Sequence, residues 1–352
     1  MPATKPSAGS FNILSITSQT EGRENYLNMT YQIVSGLPLN ATVVVTPVDQ
    51  VPNDLPVYVF YDLDYPTVAT DWIFSAMLQD HLDAELRLRG YSNDPKLVNA
   101  TELENILVNN ETAILIMASG GFPSNVFSNE VNLVKPWIDS GGILVWFGFD
   151  IGYYSLEKGM KEEDITWNMT QNPQENGSKM LGLGGFFEYT TNDTPTFGVY
   201  PSPLCSALDV TYDLIQQAPL LQMVWDADGL ALGKIGGPNT FRLRSSVSMI
   251  PVGSGKIIIF GFFLTQSMAD DGPELAARDI AQILCSGVLL MNTSSIPWYQ
   301  SYDLSKQGSI NGNCSLPIGP DVVGFEVLEY TSRNSDGILF RRQFVNAAGQ
   351  NG

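Results

Sequence analysis

Carboxylates at loop positions are the side chains in this chain whose type and spacing could do chemistry. Asp150 is the middle residue of Gly148-Phe-Asp-Ile-Gly152. That is the spacing of a strand-to-helix elbow, in which flanking glycines let the backbone turn sharply and expose the central side chain. Asp62 and Asp64 follow the apolar run Val57–Tyr61, Ser119 and Gly120 follow Ala113–Met117, and Thr265, Asp270 and Asp271 follow a run that ends near Phe263. If those runs are parallel strands, the loops at their carboxyl ends converge on one crevice. Its predicted lining is Asp62, Asp64, Ser119, Gly120, Gly148, Asp150, Thr265 and Asp270. Asp62, Asp64 and Asp150 would offer hard oxygen ligands to calcium or magnesium, or acid–base groups for work on a glycan. The competing reading needs no ligand: the same aspartates cap turns and helix N-termini.

Other nucleophiles are poorly served. A serine or cysteine nucleophile needs a base beside it, and the chain has one histidine, His81. It lies about ten residues into a helix that begins near residue 71, roughly 15 Å from the crevice edge. Residues 73, 77, 81 and 84 share one face of that helix, which predicts a core-facing or interface histidine. Cys205, Cys285 and Cys314 include no C-x-x-C, so a zinc ribbon or dithiol redox motif is excluded. Three cysteines fit one disulfide, with Cys285–Cys314 the expected pair, or three reduced thiols. That disulfide would close a loop of about 30 residues, worth about 3–4 kcal/mol in the chain-entropy account. Asp226-Ala-Asp228-Gly229 starts like a calcium loop but lacks the downstream ligands, and reads as a turn.

The elements that must hold these residues are legible in the apolar pattern. Residues 1–10 read as a disordered leader. Phe11–Ser18, Met29–Ser35 and Ala41–Pro47 read as strands of a segment covering 11–52. From residue 56 to 294 the order is strand, helix, helix, strand, helix, strand, which implies a parallel sheet with helical crossovers. The helices are expected at about 71–89, from Thr101, and over 129–140. Gly141-Gly142 closes the third, and Ile143–Phe147 reads as a strand buried on both faces. Residues 155–200 read as an insertion, rich in Gly, Asn and Thr. Leu220–Trp225, Arg242–Pro251 and the run after Gly255 read as strands, and 273–290 as a last helix. Residues 295–352 read as a loop and a hairpin across Asn334–Gly337. That hairpin either completes a sandwich with 11–52 or stands apart.

Composition bears on location and partners. The net charge is −19 and 44% of residues are hydrophobic, so the chain can bury a core while its acidic surface disfavours nucleic acid and anionic lipid. N-x-S/T sequons occur at Asn28, Asn40, Asn99, Asn110, Asn168, Asn176, Asn192, Asn292 and Asn313, the pattern of an exported, N-glycosylated chain. Met1–Ser10 is polar rather than a signal peptide, and no apolar run is long enough to span a membrane. An exported chain would carry its leader outside this sequence.

Over residues 56–290 the chain resembles the class I glutamine amidotransferase-like superfamily. The resemblance rests on Ser119-Gly120-Gly121, the Gly141-Gly142 turn, the Gly148–Gly152 elbow and Gly255-Lys-Ile-Ile-Ile-Phe-Gly261. It implies a flavodoxin-like α/β domain. Active members hold cysteine at the elbow, where this chain has Asp150. A non-catalytic branch, the luminal domain of an oligosaccharyltransferase subunit, is similar in its Gly-Gly turn and Asp-Ile-Gly elbow. Members of that branch serve as binding or assembly modules. The resulting expectation is a non-catalytic extracellular glycoprotein at a cell surface, carrying N-linked glycans and meeting other surface proteins or copies of itself. The alternative is a hydrolase or transferase for a glycan or peptide, working through the Asp-lined crevice.

Overall fold

The computed structural model describes residues 11–21, 24–33, 38–45, 54–148, 150–161, 165, 173–183, 198, 200–202, 205, 208–227, 229–237, 243–262, 272–285, 288–290, 310–313, 324–333 and 337–346. Its centre is a seven-stranded mixed sheet. Strands β1 (Phe11–Glu21), β2 (Glu24–Ile33) and β3 (Pro38–Val45) precede it and pair antiparallel in sequence.

The central sheet starts with β4 (Val57–Phe60). Helix α1 (Trp72–Leu88) leads to β5 (Lys96–Val98), and α2 (Ala100–Val108) to β6 (Ile114–Met117). After the two-residue β7 (Phe122–Pro123), helix α3 (Val134–Asp139) leads to β8 (Ile143–Phe147). Beyond β8 come β9 (Ser155–Leu156), α4 (Pro173–Met180), β10 (Tyr200–Pro201) and α5 (Leu221–Asp226). Then follow β11 (Leu230–Ala231), β12 (Lys234–Gly236), β13 (Arg244–Ser245), β14 (Val247–Val252), β15 (Gly255–Phe260) and α6 (Gly272–Cys285). The sheet order is β5-β4-β6-β8-β15-β14-β11. The first five of these strands run parallel; β14 and β11 add an antiparallel edge.

Alternation along each strand builds one core per face. Val57, Val59, Ile114, Ile116, Val145, Phe147, Ile258 and Phe260 point towards α1 and α6. Phe60, Leu115, Met117, Leu144, Trp146, Ile257 and Ile259 point towards α2 and α3. Successive side chains on a strand face opposite ways, and a sheet covered by helices on both sides needs both sets apolar. The Gly-Gly turn before β8 is used as the sequence implies: Gly141 has φ +116, and a Cβ on Gly142 would lie 2.4 Å from the Trp137 ring.

Several expectations need correction. Leu220–Trp225 is not a strand. Leu220 makes a single bridge to Arg244, and α5 follows, with the Val224 amide donating to the Leu220 carbonyl at 3.1 Å; a short apolar run does not separate the two states. The helix read over 129–140 is confined to Val134–Asp139, because the Ser128 hydroxyl caps a turn by accepting from Val131. The run 242–251 is broken at Ser246 into strands of two sheets. The face of α1 shared by Ile73, Met77 and Ala84 is its outer one, so His81 on its flank is half-buried rather than core-facing. Strand β5 has only three residues, and its alternation is too short to read.

At the C-terminus, β16 (Ile310–Asn313) joins β3 in parallel. Strands β17 (Gly324–Arg333) and β18 (Gly337–Asn346) pair with each other as a two-stranded sheet. Residues 1–10 lie outside the described residues.

Candidate functional site

Strand order locates the crevice. The chain leaves β4 to one side for β5 and returns to the other side for β6, so the carboxyl ends of β4 and β6 flank the switch point where open α/β sheets bind ligands. Here the segment between β4 and α1 folds back over that point. The Val68 and Ala69 amides donate to the Ser119 carbonyl at 2.8 and 3.3 Å, and the Thr70 amide donates to the Ala118 carbonyl at 3.3 Å. The Thr70 hydroxyl donates to the same carbonyl at 2.6 Å. Trp72 anchors the segment through Nε1, which donates to the Tyr65 carbonyl at 3.1 Å, and its ring meets Phe60 edge-on.

Glycine makes this closure possible. Gly120 has φ +75, and a Cβ there would lie 2.5 Å from the Ala69 Cβ. Gly148, at φ +135, would place a Cβ 2.7 Å from the Gly120 Cα. Three backbone segments therefore meet at van der Waals contact where a ligand would sit. Ser119 is fully buried, and its hydroxyl donates to the Gly121 carbonyl at 2.8 Å.

The aspartates are separated by what they bind. Asp62 accepts from the Asp64 amide at 3.0 Å and, with its other oxygen, from the Ala100 amide at 3.0 Å. It thereby caps the N-terminus of α2, where a negative charge is favoured. Asp64 turns outward to Lys158 at 2.8 Å. Together with Leu63, Tyr65, Pro66, Gly159 and Met160 they line an open depression of about 360 Å³. Burial, then the Asp62 charge, pushes the Tyr65 hydroxyl above its usual range.

The elbow departs from its expected form. After Gly148, residues 150–152 make a turn in which the Tyr153 amide donates to the Asp150 carbonyl at 2.9 Å. The chain then runs extended into β9, which pairs with β7. No helix starts here, so Asp150 lacks the helix N-terminus that an elbow nucleophile stands on. The extended course follows from Tyr153 and Tyr154, both buried in the α2/α3 core. Burial raises both hydroxyls, and the nearby Asp150 charge raises them further. Asp150 itself is half-buried. Among the described residues no group of three His, Cys, Asp or Glu side chains could hold a metal ion. Thr265, Asp270 and Asp271 lie outside the described residues.

Two sequons bracket one helix. Asn99 is exposed and is the N-cap of α2, its Oδ1 accepting from the Thr101 and Glu102 amides at 3.0 Å each, while Glu102 returns a bond to the Asn99 amide. Asn110, exposed, follows the helix with φ +50. Asn28, Asn40 and Asn313 sit on strands β2, β3 and β16, and Asn176 on α4. Asn168, Asn192 and Asn292 lie outside the described residues. So does Cys314, the expected partner of Cys285; Cys285 is half-buried at the end of α6, and the Cys205 thiol, buried, donates to the Val210 carbonyl at 3.2 Å.

Among the described residues, a strongly perturbed carboxyl lies where loop-based reasoning passes over it. Asp279 lies within α6 and is fully buried. It accepts from the Thr211 amide at 2.9 Å, the Thr211 hydroxyl at 3.2 Å and the Tyr212 amide at 2.6 Å. Burial pushes its carboxyl up to about 6, against the pull of those donors. The signal in the sequence was an acid inside the apolar stripe Ala276, Ile280, Ile283. Arg244 is likewise fully buried, donating to the Ala218 carbonyl at 3.2 Å.

No family model matches the chain, and no curated protein matches it. Among solved structures, the chain is similar to cytoplasmic protein STM1381 from Salmonella typhimurium LT2 at 10% identity and TM-score 0.33, over 79% of this chain and 96% of that one. It is similar to the beta-galactosidase from Rahnella sp. R3 at 14% identity and TM-score 0.37, over 84% of this chain and 40% of that one. Cytoplasmic protein STM3548 from Salmonella typhimurium is similar at 9% identity and TM-score 0.33, over 74% and 96%. Likeness at this level carries no argument about activity or location.

Proposed function

We propose that this chain is a non-catalytic, N-glycosylated protein acting in recognition or assembly at a cell surface. Its core would be an amidotransferase-like, flavodoxin-like α/β domain, and its terminal strands a sandwich-like appendage. The observation that carries the non-catalytic reading is the closed switch point. Gly120 and Gly148 are packed against Ala69 and each other, and the Ser119 hydroxyl and Asp62 carboxylate are engaged by the protein's own backbone. The strand order β5-β4-β6-β8-β15 supports the finer fold reading, since it is the doubly wound order with β4 first. The exposed sequons support the surface reading. A glycan replaces a hydrogen on the Asn99 Nδ2 and leaves Oδ1 to cap α2, so modification and capping are compatible.

Peptide mapping of protein purified from its source tests the location: glycans are expected on Asn99 and Asn110, and bare asparagine at both would overturn it. Incubation with glycan and peptide libraries tests the chemistry. Turnover that disappears in Asp150→Asn would overturn the non-catalytic reading in favour of the hydrolase or transferase.

A further inference from the structure

The sheet β1-β2-β3-β16 sorts its residues by face. Alternate residues of a strand lie on opposite faces, and residues paired across two strands share one. The register sets Ile16 opposite Met29, Leu27 opposite Val43 and Ile310 beside Ala41, so one face is apolar along its middle. The other face holds Ser15 opposite Thr30, Thr17 opposite Asn28 and Asn311 beside Thr42, a run of hydroxyls and amides. An extra residue in β1, between Ile13 and Ser15, keeps Ile13 and Ile16 on the same face.

Three sequons fall on the polar face. The asparagine of a sequon and its hydroxyl residue are two apart, which is the strand period, so Asn28 and Thr30 share a face, as do Asn40 and Thr42. Across β2 and β3, Asn28 is opposite Thr42 and Thr30 is opposite Asn40. The two sequons therefore interlock head to tail, with their asparagines diagonal neighbours about 7–8 Å apart. Asn313 is beside Val44, which is an even number of positions along β3 from Asn40. Asn313 thus joins the same face, about 13 Å further along.

We propose that Asn28, Asn40 and Asn313 are carbohydrate attachment sites grouped on this one face, which makes it a glycan-covered surface on which no protein packs. An N-linked glycan is bulky and solvated, and chains rooted this close together leave the sheet side by side. The apolar face is left for burial by the protein itself. This deepens the glycoprotein reading and rests on it for the modification; what it adds is which side of the sheet faces outward.

Site-resolved glycopeptide mapping of the full chain purified from its source tests the attachment. Sugar is expected on Asn28, Asn40 and Asn313. Bare asparagine at two or more of them, with sugar on Asn99 and Asn110, overturns the cluster and leaves the glycoprotein reading standing. Bare asparagine at all of these positions overturns both. Two neighbouring substitutions, made in a host that secretes and glycosylates the full chain, test the faces. Ser15→Asn creates the sequon N-I-T on the polar face, and Ile16→Asn creates N-T-S on the apolar one. The first variant should gain one glycan and keep the wild-type yield and melting temperature. The second should lose about tenfold in secreted yield, because it sets a polar group and a bulky sugar among residues that pack. Both variants tolerated, both lost, or the reverse order overturns the proposal.

Discussion

Two corners of the molecule handle polar groups in opposite ways. At the switch point between β4 and β6 the chain uses absence: Gly120 and Gly148 have no side chains, and backbone from three segments closes the space. Beside α6 it uses a charge: buried Asp279 straps Thr211 and Tyr212 to the helix with three donors. The first corner has the position of a ligand site and is filled. The second has the perturbed carboxyl that often marks catalysis, yet each donor belongs to the protein's own fold. A shifted pKa and a strand-end position are therefore separate signals, and in this chain they point to different places.

The sharpest way to break the comparison is to force a side chain into the glycine corner. Gly120→Val adds β-branched bulk at positive φ and against Ala69, so a loss of about 4 kcal/mol or failure to fold is expected on urea denaturation. A loss under about 1 kcal/mol would mean the corner has room after all. In the other corner, Asp279→Ala leaves the Thr211 and Tyr212 amides without their acceptor and should cost about 2–4 kcal/mol.

The same carboxyl gives a pH signature. The folded chain holds its proton more tightly than the unfolded chain, with the group moved from 3.8 to about 6. Its contribution is complete below about pH 4 and is lost as pH rises through about 6, worth at most about 3 kcal/mol. Denaturation curves should show this fall in the wild type but not in Asp279→Asn. A matching fall in the variant would assign it to other groups.

Smaller effects test the caps. Asp62→Ala should cost about 1 kcal/mol through the α2 N-terminus. Asn99→Asp abolishes the sequon yet keeps the cap, so unglycosylated protein should hold its melting temperature, whereas Asn99→Ala should lose about 1 kcal/mol. Last, Lys158→Ala breaks an exposed pair with Asp64 and should leave stability unchanged within error; a measurable loss would mark the neighbouring depression as a built feature.

Particular elements show why some of this was legible. Ile143–Phe147 follows a Gly-Gly turn and is wholly apolar, so strand, burial and turn agree at every level. Leu220–Trp225 carries no such agreement, and only its contacts with Arg244 and β11 decide that it is helical. Asp150 was visible because glycines frame it, but its surroundings depend on Tyr153 and Tyr154 entering a core assembled from other segments. The helix that carries His81 is legible in the sequence, while the face of it that meets the sheet depends on where α6 packs.

The amino-acid sequence by itself determined the α/β alternation, the two apolar faces of each inner strand and the turns that need glycine, because these follow from local periodicity and backbone sterics. Only the tertiary structure decided that the backbone closes over the switch point, that the Asp62 carboxylate reaches the Ala100 amide at the start of α2, and that Asp279 is buried. Each of those outcomes depends on the distance between segments tens of residues apart, and such distances are set by packing rather than by any local pattern.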